Sequence, residues 1–224
     1  MKQRSSFFNL LMIILAASPL IYLALIWHSI PPIVPVHYDL NFKPDRMDKK
    51  NMLWVINGMF TLVSILVYFL LLNIHRFDPK RSGAAPSATF KRLAVVIVVF
   101  ITALNFLFIV ALNNHIELMH KLLFPLIGLL FAFIGNYMNN LKPNYFAGLR
   151  LPWTLSSDYN WRKTHHLASK LWFWGGISAA IISFLTPSPY SQYIFFCILF
   201  VIIIIPVVYS YQIFKQEKKP DSIT

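Results

Sequence analysis

The residue types best suited to recognition gather between Gly135 and Lys170. That stretch holds five cations, Lys142, Arg150, Arg162, Lys163 and Lys170, against a single acid, Asp158, interleaved with Asn144, Tyr145, Trp153, Thr154 and Trp161. Guanidinium and ammonium groups at this density suit phosphate or carboxylate, and an arginine can also hydrogen-bond the freed carbonyls of a helix end. Pro143 and Pro152 stiffen the backbone on either side of Gly148, which is read as the flexible point between them. The segment therefore predicts a defined loop, either a structural cap on the neighbouring helices or a place where a ligand is met.

A second constellation lies near the amino terminus. His37 and Asp39 share one side of an extended segment, with Asp45 and Asp48 nearby. A metal centre wants three or four convergent ligands, and two at this spacing do not define one. An extended segment exposed to solvent can instead take a peptide by edge pairing. Glycine-rich phosphate loops, HExxH and GxSxG are absent from the sequence, so neither an enzyme nor a cofactor is expected. The single cysteine, Cys197, sits in an apolar run and has no disulfide or metal partner.

The elements that must position these residues are membrane helices. Of 224 residues, 57% are apolar and only 12% charged, and the apolar residues come in blocks. A bilayer core of about 30 Å needs about 20 apolar residues per helix. Six runs meet or approach that length, at Phe7 to Trp27, Met52 to Asn73, Leu93 to Leu112, His120 to Met138, Leu171 to Leu185 with some preceding turns, and Gln192 to Phe214. Ala16, Ala17 and Ser18 resemble a signal-peptide cleavage site, yet the first apolar run continues well past them and is read as a spanning helix. The expected fold is all-α, a polytopic membrane protein with six transmembrane helices.

The +12 net charge is explained by the loops. Fifteen Lys and Arg fall on one side of the six spans and five on the other, which places both termini in the cytoplasm and the Gly135–Lys170 stretch inside. No basic domain stands apart from the spans, so no direct nucleic-acid binding is expected. Pro31, Pro32 and Pro35 forbid a regular helix in the outer loop from His28 to Asn51, where alternation from Val34 to Phe42 predicts an extended segment and Lys43 to Arg46 a turn. The loop between Arg76 and Arg92 has a linker-like core at Ser82 to Ser87. Three regions follow: 1–76 with the first two spans and the outer loop, 77–138 with the linker and spans three and four, and 139–224 with the basic loop, spans five and six and a charged tail.

Ser157 and Asp158 suit the start of a helix. Beyond them Trp161, His165, Ala168 and Trp172 recur on one face. This predicts an amphipathic helix at the inner membrane surface, its tryptophans at headgroup level and its cations on anionic lipid; a docking site for a cytoplasmic partner is the alternative. Within the spans no acid or cation lies near a midplane, and Asn57 and Asn105 are expected to hydrogen-bond between helices.

Two segments resemble known families. NYMNNLKPNYFAGLRLPWTLSSDYNWRKTHHLASKLWFWGG resembles the signature of the SdpI family of bacterial membrane proteins. IPPIVPVHYDLNFKPDRMDKK is similar to a domain of unknown function, DUF1648, whose pattern is P-x-H-x-x-x-x-G-x-P-D. Pro35, His37, Pro44 and Asp45 match that pattern, while Asn41-Phe42-Lys43 departs from its glycine. The resemblance implies an immunity protein of the bacterial cytoplasmic membrane, protecting against a secreted toxic peptide and also holding a cytoplasmic repressor at the membrane. It implies that Pro35 and His37 meet the peptide, and that Lys142, Pro143, Asn144, Gly148, Arg150, Pro152, Trp153, Trp161, Arg162 and His165 form the inner site. A small exporter of a membrane-active compound is the alternative function, and an accessory subunit of a larger membrane complex a third.

Overall fold

The computed structural model describes residues 2–78, 88–112, 116–187 and 190–218, with side chains from residue 6 onward. The linker core at 82–87, most of the link after the third span, the end of the 186–189 turn and the tail beyond 218 lie outside the described residues. Six long helices form, α1 (Lys2–Ile26), α2 (Met52–Phe77), α3 (Ala88–Ala111), α4 (Ile116–Met138), α6 (Asp158–Leu185) and α7 (Tyr190–Glu217), and a short α5 (Pro152–Ser156) precedes α6. All six long helices are apolar enough to cross a membrane. The chain is a multi-pass membrane protein, and the six helices among the described residues put the start of α1 and the end of α7 at one end of the bundle.

The bundle has two halves. α1, α2 and α3 pack together, α6 packs on α4 and α7, and α3 meets α4 along the seam. Inside the first half polar contacts cross between helices beside two apolar clusters. Thr61 Oγ1 donates to the Ala16 carbonyl at 3.2 Å, Tyr68 donates to Asn9 Oδ1 at 2.8 Å, and Asn105 Nδ2 reaches the Asn57 carbonyl at 3.4 Å. Of the two mid-span asparagines expected to bond between helices, the Asn105 side chain does so, to the Asn57 backbone, while Asn57 Nδ2 stays with Leu53 in its own helix.

The second half is held by close backbone approach. A methyl group added at Gly128 would meet the Gly176 carbonyl oxygen at 2.8 Å, and one at Gly176 would meet Ala132 N at 2.5 Å. Small residues at this spacing let two helices touch where lipid cannot drive them together. Proline inside a helix frees the carbonyl four residues earlier, and side chains here take up that role. Ser18 Oγ donates to Leu15 O beside Pro19, and Trp172 Nε1 donates to Ile202 O beside Pro206 at 3.0 Å.

At one end of the bundle a hairpin replaces the expected single extended segment. β1 (Ile33–Tyr38) pairs antiparallel with β2 (Pro44–Lys49), in a register running from Ile33↔Lys49 to Tyr38↔Pro44. The turn lies earlier than Lys43 to Arg46. Asp39 makes it, its carboxylate accepting the Asn41 and Lys43 N–H groups at 2.9 and 2.8 Å, an Asx-type closure that competes well with other turn chemistry. Pro44 opens β2, where a missing N–H is tolerated.

Phe42 occupies the turn with φ +59°. This is the position where the DUF1648 pattern has its glycine, and a left-handed conformation there costs a residue with a Cβ about 1–2 kcal/mol. The ring offsets it. Phe42 is buried against Phe124, Phe195 and Ala179, and stacks on His120 at 4.2 Å, so the hairpin of the first half plugs into the second. At the other end Ile74, Phe90 and Leu93 join Met138, Leu141, Trp161 and Ala168 in one core. The halves are clamped at both ends.

Candidate functional site

The two sets of candidate residues stand at opposite ends. Pro35 and His37 lie in the hairpin, whereas Lys142 through His165 cluster where α4 ends and α6 begins. A 23-residue helix such as α4 separates them by about 35 Å.

Trp161 is the centre of the loop-end cluster. Fully buried, it donates Nε1–H to the Leu141 carbonyl at 2.7 Å, tying α6 to the chain leaving α4. His165 stacks on its ring with centroids 4.0 Å apart. Nδ1 of His165 donates to the Trp161 carbonyl at 2.8 Å and Nε2 accepts from Leu149 N–H at 3.1 Å. An imidazole that accepts at Nε2 is neutral and of one tautomer. Gly148, with φ +108°, lies directly over that nitrogen, and a Cβ there would overlap it. Gly148 is therefore the fixed point of closest approach and not a flexible one.

Asn144, also fully buried, organises the loop from within. Oδ1 accepts from Phe146 N and Ala147 N at 2.8 and 2.7 Å, and Nδ2 donates to the Lys142 and Ala147 carbonyls. Thr154 Oγ1 accepts from Leu151 N and donates to Leu149 O, with Pro152 as first residue of α5 where its missing N–H costs nothing. Trp153 Nε1 donates to Ser210 Oγ at 2.9 Å, its ring lying on Tyr211 and Phe214 of α7. Asn160 Nδ2 reaches the Ser210 carbonyl, and Ser157 both caps α6 and donates to Glu217. The loop thus binds the ends of α4, α6 and α7 into one block.

This corrects the expected surface helix. The face carrying Trp161, His165 and Ala168 is a face as read, but it is buried in protein and not laid on lipid, because the loop folds back over it. The residue missed in the sequence is Asp78. Buried at the end of α2, it accepts Tyr145 N–H at 3.3 Å, and its signal was a lone acid inside an otherwise basic loop. Arg150 donates to the Tyr145 carbonyl within the loop and not to a helix end. Only Lys142, Arg150, Pro152 and Arg162 of the inner set are exposed.

The hairpin end is open by comparison. His37 Nδ1 lies 2.6 Å from Asp45 Oδ1 with both side chains exposed, so Asp45, and not Asp39, is its partner. The two border a cavity of about 430 Å³ with Val36, Arg46 and Met52. Pro35 faces Met47 across the ladder. Beneath, burial pushes the Tyr38 phenol above its ordinary value. No group of three or more potential metal ligands occurs among the described residues.

Comparison with known proteins finds a likeness at each of these two ends. Residues 140–210 match the SdpI/YfhL protein family, and residues 14–61 match the domain of unknown function DUF1648. The chain is 24% identical over 214 residues to the immunity protein SdpI of Bacillus subtilis (strain 168), covering 93% of this chain and 96% of that protein. No solved structure matches the chain significantly. With the hairpin falling in one matched segment, the loop-end block in the other and alignment along nearly the whole length, the chain is a multi-pass membrane protein similar to the SdpI family.

Proposed function

We propose that the protein is an immunity protein of the cell membrane, acting by binding and not by catalysis, and that it protects against a secreted membrane-active peptide. The similarity to the immunity protein SdpI along nearly the whole chain carries this reading. The hairpin supports it as the contact surface: β2 is solvent-exposed along most of its length, and a strand that offers one free edge can take a peptide as a third strand. The excess of Lys and Arg at the loop end supports a cytoplasmic position for both termini and for the loop-end block. The exposed cations there, Lys142, Arg150 and Arg162, are then available to a cytoplasmic repressor.

Expression in a strain sensitive to such a peptide tests the reading. Cells carrying the protein are expected to survive peptide concentrations that kill control cells. Equal killing, with the protein present in the membrane by immunoblot, would sink it.

A further inference from the structure

We propose that the protein holds the headgroup of an anionic phospholipid in the basic cavity between the end of α4 and the first turns of α6. The cavity, of about 330 Å³, is lined by Asn139, Tyr159, Arg162, Lys163 and His166. At about 30 Å³ per water it has room for roughly ten waters, enough for a phosphate and part of its ester. The lining is built. His166 Nδ1 is fixed by Asn139 Oδ1 at 3.1 Å, which leaves Nε2 as the ring's other hydrogen-bonding atom. Lys163 Nζ lies 5.6 Å from the centroid of the Tyr159 ring. His165, buried and stacked on Trp161, lines it from beneath together with Leu141.

Charge makes the ligand anionic. The two ion pairs present among the described residues both lie in the hairpin, so Arg162 and Lys163 stand unneutralised side by side. Tyr159, Lys163, His166 and Lys170 form one exposed stripe along α6, opposite the buried face. Depth makes the ligand a lipid. α6 has 28 residues, about 42 Å at 1.5 Å per residue, against a hydrocarbon core of about 30 Å. The excess amounts to about eight residues. Counted from Leu185, it leaves Asp158 to His165, and with them Tyr159, Arg162 and Lys163, in the headgroup layer. Cations clustered just past the end of a span recognise lipid phosphate. The proposal does not depend on what the protein protects against.

The test uses the full chain purified in neutral detergent and offered phosphatidylglycerol or phosphatidylcholine, with bound lipid counted by native mass spectrometry. The protein is expected to retain phosphatidylglycerol selectively. Arg162→Gln with Lys163→Gln should weaken that retention by roughly tenfold or more, whereas Arg162→Lys and the control Lys142→Gln, whose side chain is outside the cavity, should keep it. Equal retention of the two lipids, or equal loss in the control, overturns the proposal. Inorganic phosphate is the second arm: displacement of the lipid by millimolar phosphate would assign the cavity to a soluble anion and overturn the lipid assignment. Unchanged thermal unfolding of the double variant shows that any loss belongs to the cavity.

Discussion

The hairpin end and the loop end carry the two matched family segments, yet they are made differently. At the loop end the polar groups of Asn144, Thr154, Trp161 and His165 are bonded to the protein's own backbone, and Asn144, Trp161 and His165 are buried. At the hairpin end His37 and Asp45 bond only to each other and face solvent. A saturated polar network specifies shape, and an exposed one is free to meet something. On the proposed function, the contrast suits the loop end to construction, with contact left to its exposed cations, and the hairpin to recognition.

The largest effects are expected where construction is densest. Trp161→Ala removes a fully buried ring, orphans the Leu141 carbonyl and takes away the surface on which His165 stacks; a loss of about 3–5 kcal/mol follows from the lost burial. Gly148→Ala should approach it, since the new methyl meets His165 and the positive φ is strained. Denaturation in mild detergent checks both. If either variant unfolds like wild type but loses protection, the loop is a binding site and the contrast between the ends fails.

Phe42 provides the middle case, because it is a structural residue inside the recognition end. Phe42→Ala should free the hairpin tip at a cost of about 3 kcal/mol, read as faster proteolysis or amide exchange at 33–49. Phe42→Gly loses the same ring but relieves the left-handed backbone. The glycine variant should therefore be about 1 kcal/mol more stable than the alanine variant, the reverse of the usual order. The usual order would mean that the turn is not held at positive φ.

The parts legible in the sequence were those set by local composition. Six spans follow from apolar length, and α6 starts at the Ser157 cap where its residue types placed it. The Trp161–His165–Ala168 face was legible as a face, but periodicity says only that residues share a side and not whether lipid or protein covers it. The turn was misplaced because Lys43-Pro44-Asp45-Arg46 looks turn-like by composition, while the Asp39 carboxylate closes the chain four residues sooner. The contact of α4 with α6 runs along Gly128-x-x-x-Ala132 and Gly176-x-x-x-Ala180, which the sequence reading did not single out, because pairing two such stripes requires knowing which helices are neighbours. Asp78 is nonlocal in the same way, acting on Tyr145 across 67 residues.

The smallest stability effect belongs to the pair on which the functional contrast turns. His37→Ala and Asp45→Asn break one exposed contact, and exposed pairs contribute between zero and about 1 kcal/mol, so unfolding should barely change. Protection should change much more. Loss of one well-placed recognition group, worth about 1.4 kcal/mol or more of binding, is a shift of roughly tenfold in the peptide concentration that cells survive. Lys142→Ala and Arg150→Ala, exposed at the other end, should leave survival unaltered if the peptide meets the hairpin as proposed. The opposite pattern, with survival intact after the hairpin changes and lost after those at the loop end, would exchange the roles of the two ends while leaving every buried contact as it is.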